Sequence, residues 1–170
     1  VIADLSPDTL LPVRLTSFDS NADATYSPAI SGDGRWVAVL VSTGTGEALR
    51  IMDTNPSIPV PVPFQDDAGS PAWDADGSRI AFVTDAALDE TGDTDGEPSV
   101  YLADRDPDGD DQFGDWEYTR LSAIAGGEPD SLVVQAVSDE GDRILWIGDG
   151  NVYLSTLGDH RHVGHAVPIV

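Results

Sequence analysis

The sequence predicts an all-β chain made of β-propeller blades, and three of its features carry that prediction. A 14-residue window recurs three times without gaps, as Ser27–Leu40, Ser70–Val83 and Val134–Ile147. Each window holds an Asp-Gly or Glu-Gly pair between two short runs of β-branched and aromatic residues, the pattern of two strands joined at a positive-φ glycine. No segment sustains an apolar period of 3.6 residues, so helices are expected to be scarce. Gly34, Gly77 and Gly141 occupy equivalent positions, 43 and 64 residues apart. The first spacing is the period of a four-stranded blade, and the second is that period with about 21 residues inserted.

Taken in chain order, Pro12–Ser17 is similar to Tyr118–Ser122 and reads as a stray outermost strand at 12–17, the end of a blade otherwise missing. Blade 1 is expected over 27–65, with later strands at Trp36–Val41, Ala48–Met52 and Val60–Phe64. The run Pro56–Pro63 alternates proline with apolar residues. Proline cannot donate to a ladder, so this run belongs on an edge strand or in an extended connection at the rim. Blade 2 is expected over 70–123, with strands at Ile80–Val83, Val100–Ala103 and Tyr118–Ser122 and an acidic insert among them. Blade 3 is expected over 133–169, with strands at Ile144–Ile147, Val152–Leu154 and His162–Ile169. Trp36, Trp73 and Trp146 fall within the repeated windows, where packing between neighbouring blades explains them better than a sugar-binding surface. Trp116 lies outside the windows and is the least constrained of the four.

Residues 70–83 (Ser-Pro-Ala-Trp-Asp-Ala-Asp-Gly-Ser-Arg-Ile-Ala-Phe-Val), with Val100–Asp104 and Arg120–Ser122, resemble the repeat of TolB-type, WD-like propellers. That repeat runs Pro-x-Trp-Ser-x-Asp-Gly, then Ile-Ala-Phe, then a strand ending in Asp, then Leu-Thr. The similarity covers 12–158, and the third window departs from it at Gln135, where proline is expected. The acidic loops give the chain the look of the exported, calcium-loop-bearing type of such propellers. The resemblance implies a β-propeller and little about activity, because this fold hosts many unrelated functions.

The 170 residues carry 31 acidic and 8 basic side chains, a formal net charge of −23. Every basic residue is Arg, and 25 of the acids are Asp. Such a surface repels nucleic acid and anionic membrane. No apolar run approaches the roughly 20 residues that a membrane span needs. Many of the Asp residues sit beside Gly in loops, which favours neutralisation by bound divalent cations.

The segment Asp104–Asp115 places Asp104, Asp106 and Asp108 at positions 1, 3 and 5, Gly109 at position 6 and Asp115 at position 12 of the calcium-loop template; Asp110 adds a further carboxylate. Carboxylates on alternate residues of a turn aim their oxygens at one centre, and glycine permits the sharp reversal. Asp115 is shorter than the usual Glu, with Glu117 a substitute, and strands rather than helices flank the loop. The competing reading is a solvated acidic hairpin. A second loop, 85–97, contributes Asp89, Asp93 and Asp95 beside Glu90 and Gly96, either as its own calcium site or as part of a shared one, with a plain polar loop as the alternative. His160, His162 and His165 lack an acidic or Cys partner at zinc-ligand spacing, and surface histidines are the commoner outcome.

Nothing in the sequence marks a catalyst: there is no Gly-x-Ser-x-Gly elbow, no phosphate-cradling glycine loop and no Cys. The expected function is therefore a non-catalytic exported or cell-surface module, extracellular or periplasmic. It would act as a calcium-stabilised scaffold or a self-assembling ring or fibre subunit. The alternative is the propeller portion of a larger prolyl-oligopeptidase-like hydrolase. Propellers typically close with four to eight blades, so three leave open edges. The expected partners are accordingly protein: self-association through those edges, or the remainder of a longer propeller.

Overall fold

The computed structural model describes residues 25–43, 46–54, 57–60, 68–88, 96–108, 115–123, 129–158 and 167–168. Among these there is no helix. Blade 1 comprises β1 (Thr25–Ile30), β2 (Trp36–Thr43), β3 (Gly46–Thr54) and β4 (Ser57–Val60). Blade 2 comprises β5 (Ala68–Trp73), β6 (Arg79–Thr84), β7 (Ser99–Asp104) and β8 (Glu117–Arg120). Blade 3 comprises β9 (Leu132–Val137), β10 (Arg143–Gly148), β11 (Asn151–Thr156) and β12 (Val167–Pro168). Each is a four-stranded antiparallel sheet whose strands follow one another in sequence order. The first strands lie side by side, β1 against β5 and β5 against β9, so blade 2 is packed between the other two. Three successive blades of a β-propeller result.

Strand alternation decides which side chain meets which neighbour. Trp36, Ala38 and Leu40 of β2, with Leu49 and Ile51 of β3, meet Trp73, Ile80, Phe82, Tyr101 and Ala103 of blade 2 in one buried cluster. The intervening residues of blade 2 (Ala81, Val83, Val100 and Leu102) meet Val134, Ile144, Trp146 and Tyr153 of blade 3 in a second. Each fully buried large apolar side chain contributes about 1.5–3 kcal/mol relative to exposure, so these two interfaces supply most of the stability. Trp36, Trp73 and Trp146 pack between blades as the windows predict, at 3 %, 7 % and 0 % exposure. Trp146 also stacks on Tyr153 and donates to Ser155 Oγ.

The first strand of every blade carries a β-bulge. In β1 the ladder passes from Tyr26–Leu40 to Ala29–Ala38, and in β5 from Gly69–Val83 to Ala72–Ala81. Pro28 and Pro71 therefore sit where the ladder is interrupted and a missing N–H costs nothing. Ser27 and Ser70, which precede them, adopt φ of 49° and 48°. In blade 3 the residue left out of register is Gln135, so the departure from the Ser-Pro pattern keeps the bulge and loses only the proline.

One boundary differs from the expectation. The fourth strand of blade 1 pairs at 57–60 rather than 60–64, with Thr54 opposite Ser57 and Met52 opposite Pro59. Because β3 runs on to Thr54, the returning strand engages as soon as the chain reverses, and the proline-rich run forms the outermost strand. The stray strand expected at 12–17 lies outside the described residues.

Candidate functional site

Two regions concentrate polar chemistry: the turns that join the blades, and the start of the Asp104 loop. In each blade the first and second strands are linked by a five-residue turn whose first side chain accepts the N–H five residues on. Ser31 Oγ accepts from Trp36, Asp74 Oδ2 from Arg79, and Ser138 Oγ from Arg143, at 2.9, 3.1 and 3.0 Å. The glycines predicted to need positive φ have it, at 74°, 76° and 69° for Gly34, Gly77 and Gly141. Backbone bonds then run from turn to turn. Gly32 and Asp33 N–H donate to Asp74 and Ala75 carbonyls, and Ala75 N–H donates to the Asp139 carbonyl. Arg79 adds a side-chain bond to the Glu140 carbonyl.

Asp74 is the one carboxylate at the serine position of these turns, and it is 3 % exposed. Burial pushes its carboxyl up to about 6, against the opposing donors Arg79 N–H and Ser78 hydroxyl. A carboxyl whose folded-state value lies above its unfolded value binds its proton more tightly when folded, so stability falls as pH rises between about 4 and about 6. Asp74→Ser, which installs the side chain of the other two turns, is expected to flatten that part of the profile. The measurement is melting temperature against pH for both proteins; parallel curves between pH 4 and 7 would refute the assignment.

The Asp104 loop opens by splitting its side chains across the sheet. Asp104 and Leu102 point towards blade 3, whereas Ala103 and Arg105 point towards blade 1, as period-2 alternation requires. Arg79 Nε holds Asp104 Oδ2 at 2.9 Å across the β6–β7 ladder. Asp104 Oδ1 accepts the Asp106 N–H at 3.1 Å. Glu117 stands directly opposite Asp104 in the β7–β8 ladder. Asp104 and Glu117, with Arg79, Leu102, Asp142 and Leu157, line a cleft of about 320 Å³ between blades 2 and 3.

Arg105 occupies the other side of the sheet and is fully buried. Its N–H bonds to the Ser78 carbonyl, and its Nη1 to the Gly77 carbonyl at 2.9 Å. The guanidinium lies 3.9 Å from the centre of the Trp36 ring and 5.5 Å from those of Trp73 and Trp116. Burial, and then the charge of Arg35, lower its pKa to about 10, leaving it a cation at neutral pH. Trp116 stacks on Tyr118, and both pack against the blade 1–blade 2 core. Trp116 is therefore part of this cage and not a free aromatic surface. Sequence reasoning treated Arg105 as filler between Asp104 and Asp106. The signal that could have found it is its register, since it continues the blade 1-facing series Tyr101 and Ala103.

Of the residues expected to bind metal, Asp104, Asp106, Asp108 and Asp115 are described; Asp110, and Asp89, Asp93 and Asp95 of the second loop, lie outside the described residues. Asp106 and Asp108 follow Asp104 into the turn, with Asp108 exposed, and Asp115 is exposed just ahead of β8. Among the described residues, no three acidic or histidine side chains converge closely enough to hold a metal ion. No helix among them is long and apolar enough to cross a membrane.

The fold defines a β-propeller segment, and solved structures share it. TolB from Acinetobacter baumannii superposes with a TM-score of 0.56 at 17 % identity, over 84 % of this chain and 32 % of that one. A putative TolB from Agrobacterium tumefaciens gives 0.51 at 17 % identity, over 85 % of this chain and 47 % of that one. A structure from a mechanistic study of two prolyl endopeptidases gives 0.55 at 16 % identity, over 86 % of this chain and 22 % of that one. At these identities the likeness concerns fold alone, and this chain spans less than half the length of each. No family model matches the sequence, and no curated protein does.

Proposed function

We propose that this chain is a non-catalytic propeller module, exported to the periplasm, cell surface or exterior, that binds protein and is rigidified by calcium in the Asp104 loop. The observation that carries the reading is the face of blade 3 turned away from blade 2. It is an ordered sheet surface of half-buried aliphatic side chains with Val133 36 % exposed, of the kind that receives another protein surface. The TolB-like fold and the acidic loops agree with export and with cation binding.

Calcium is best assigned to Asp106, Asp108, Asp110 and Asp115, because entry at Asp104 competes with Arg79 for the same carboxylate. Isothermal titration after chelation is expected to show binding. Calcium at about 100 times its dissociation constant should stabilise the fold by about 2.7 kcal/mol. Asp108→Asn, at an exposed position, should weaken binding without lowering the melting temperature of the calcium-free protein. Absence of both heat and stabilisation would remove calcium from the proposal.

A second reading has one observation in its favour, the superposition on a prolyl endopeptidase structure. In that reading the blades are the non-catalytic portion of a larger hydrolase. Peptidase activity in the product of the full-length gene, absent from residues 1–170, would establish it.

A further inference from the structure

We propose that two copies of this chain associate through the open face of blade 3 as a closed, two-fold dimer. The inference rests on the protein-binding reading above and names the partner. Two cross-strand rows build the face: Ala136, Leu145 and Leu154 opposite one another, and beside them Val133, Ile147 and Val152. Residues opposite each other in a ladder share a face, so these six form one continuous apolar patch. Their neighbours in sequence, Ile144, Trp146 and Tyr153, point the other way into the interface with blade 2.

Charge selects a second copy as the occupant. Across β9, β10, β11 and β12 the only ionisable charge is Arg143, at the margin of the patch. Blade 1 by contrast places Glu47, Arg50 and Asp53 in one strand, and blade 2 places Arg79, Asp104, Glu117 and Arg120 in its strands. In a chain of net charge −23, two copies repel almost everywhere, and this neutral face is where they can meet.

The symmetry follows from the inequality of the two end faces. The equivalent outward face of blade 1 carries Val37, Val39, Val41 and Met52, which are only 4–9 % exposed, although blades 2 and 3 lie on the opposite side. A head-to-tail contact needs that face free, and it is shielded. The open face therefore meets its own copy, an isologous contact that closes at two subunits and does not propagate into a fibre.

Light scattering during size exclusion tests this over a range of NaCl. The expected mass is twice 17.9 kDa. The dimer should strengthen with salt, because the Debye length falls from about 10 Å at 0.1 M to about 3 Å at 1 M and screens the acidic rims. Ile147→Asp should weaken the dimer at least tenfold. Val133→Gln, at an exposed position that leaves the core untouched, should weaken it less, and near-ultraviolet circular dichroism of the Trp146–Tyr153 stack verifies folding in both. A monomer at every salt concentration overturns the proposal, as does a dimer that weakens with salt, one indifferent to both substitutions, or open-ended oligomers. A monomer that still responds to calcium would overturn the dimer alone and leave the calcium-stabilised module standing.

Discussion

Gly77→Ala is expected to lower the melting temperature by roughly 10 °C, from a loss of about 3–4 kcal/mol at the 2–4 °C per kcal/mol typical of this chain length. Two costs add. Gly77 has φ of 76°, a left-handed conformation that costs a residue with a Cβ about 1–2 kcal/mol. The new Cβ would also stand 2.0 Å from Trp36 Cδ1 and 2.7 Å from Cγ, closer than any real contact. Overpacking of that kind costs about 1–3 kcal/mol. Trp36 cannot withdraw freely, because Arg105 lies 3.9 Å from its ring centre. Gly150→Ala separates the two contributions, since Gly150 has the same φ of 76° with nothing within 4 Å of the added methyl. Thermal unfolding of both variants should show Gly150→Ala losing only the backbone share. Equal losses would mean that the blade 1–blade 2 contact yields at no cost.

Arg105→Ala is expected to be the most damaging single truncation, at about 3–5 kcal/mol, within reach of the whole stability of a small domain. It empties the space between Trp36, Trp73 and Trp116 and removes a desolvated cation–π contact worth about 2 kcal/mol. It also removes the donor to the Gly77 carbonyl, in the turn that Trp36 already crowds. Arg105→Met refills the volume without the charge and should recover roughly half the loss. Recovery to the native level would show that volume alone matters at this position, an outcome known for buried ions replaced by apolar side chains of similar size. Chemical denaturation followed by tryptophan fluorescence reads both variants directly, because three of the four tryptophans surround the substituted side chain.

Much of the blade was legible because its causes are local. A glycine after Asp or Glu with apolar runs on each side names a positive-φ turn between two strands, and Gly34, Gly77 and Gly141 all adopt it. Trp36, Trp73 and Trp146 could be placed between blades from their position in the windows. The candidate site was far less legible. The calcium template weighs carboxylates by spacing, yet Asp104 is held by Arg79, which lies 25 residues away in sequence and directly opposite it in the ladder. Arg105 looked like one more solvated charge in an acidic run, whereas its side chain is the most deeply placed polar group of the loop.

The sequence by itself determined the repeat, the strands and their turns, since period-two patterning and glycine conformation depend only on neighbours along the chain. Only the tertiary structure decided which face of each strand meets another blade. It made Asp74 a buried acid and Arg105 a caged cation, and it left blade 3 with an open apolar face while that of blade 1 is shielded. The physical reason is that burial, desolvation and ring stacking are properties of residues far apart in sequence, and they are set when one sheet is laid against the next.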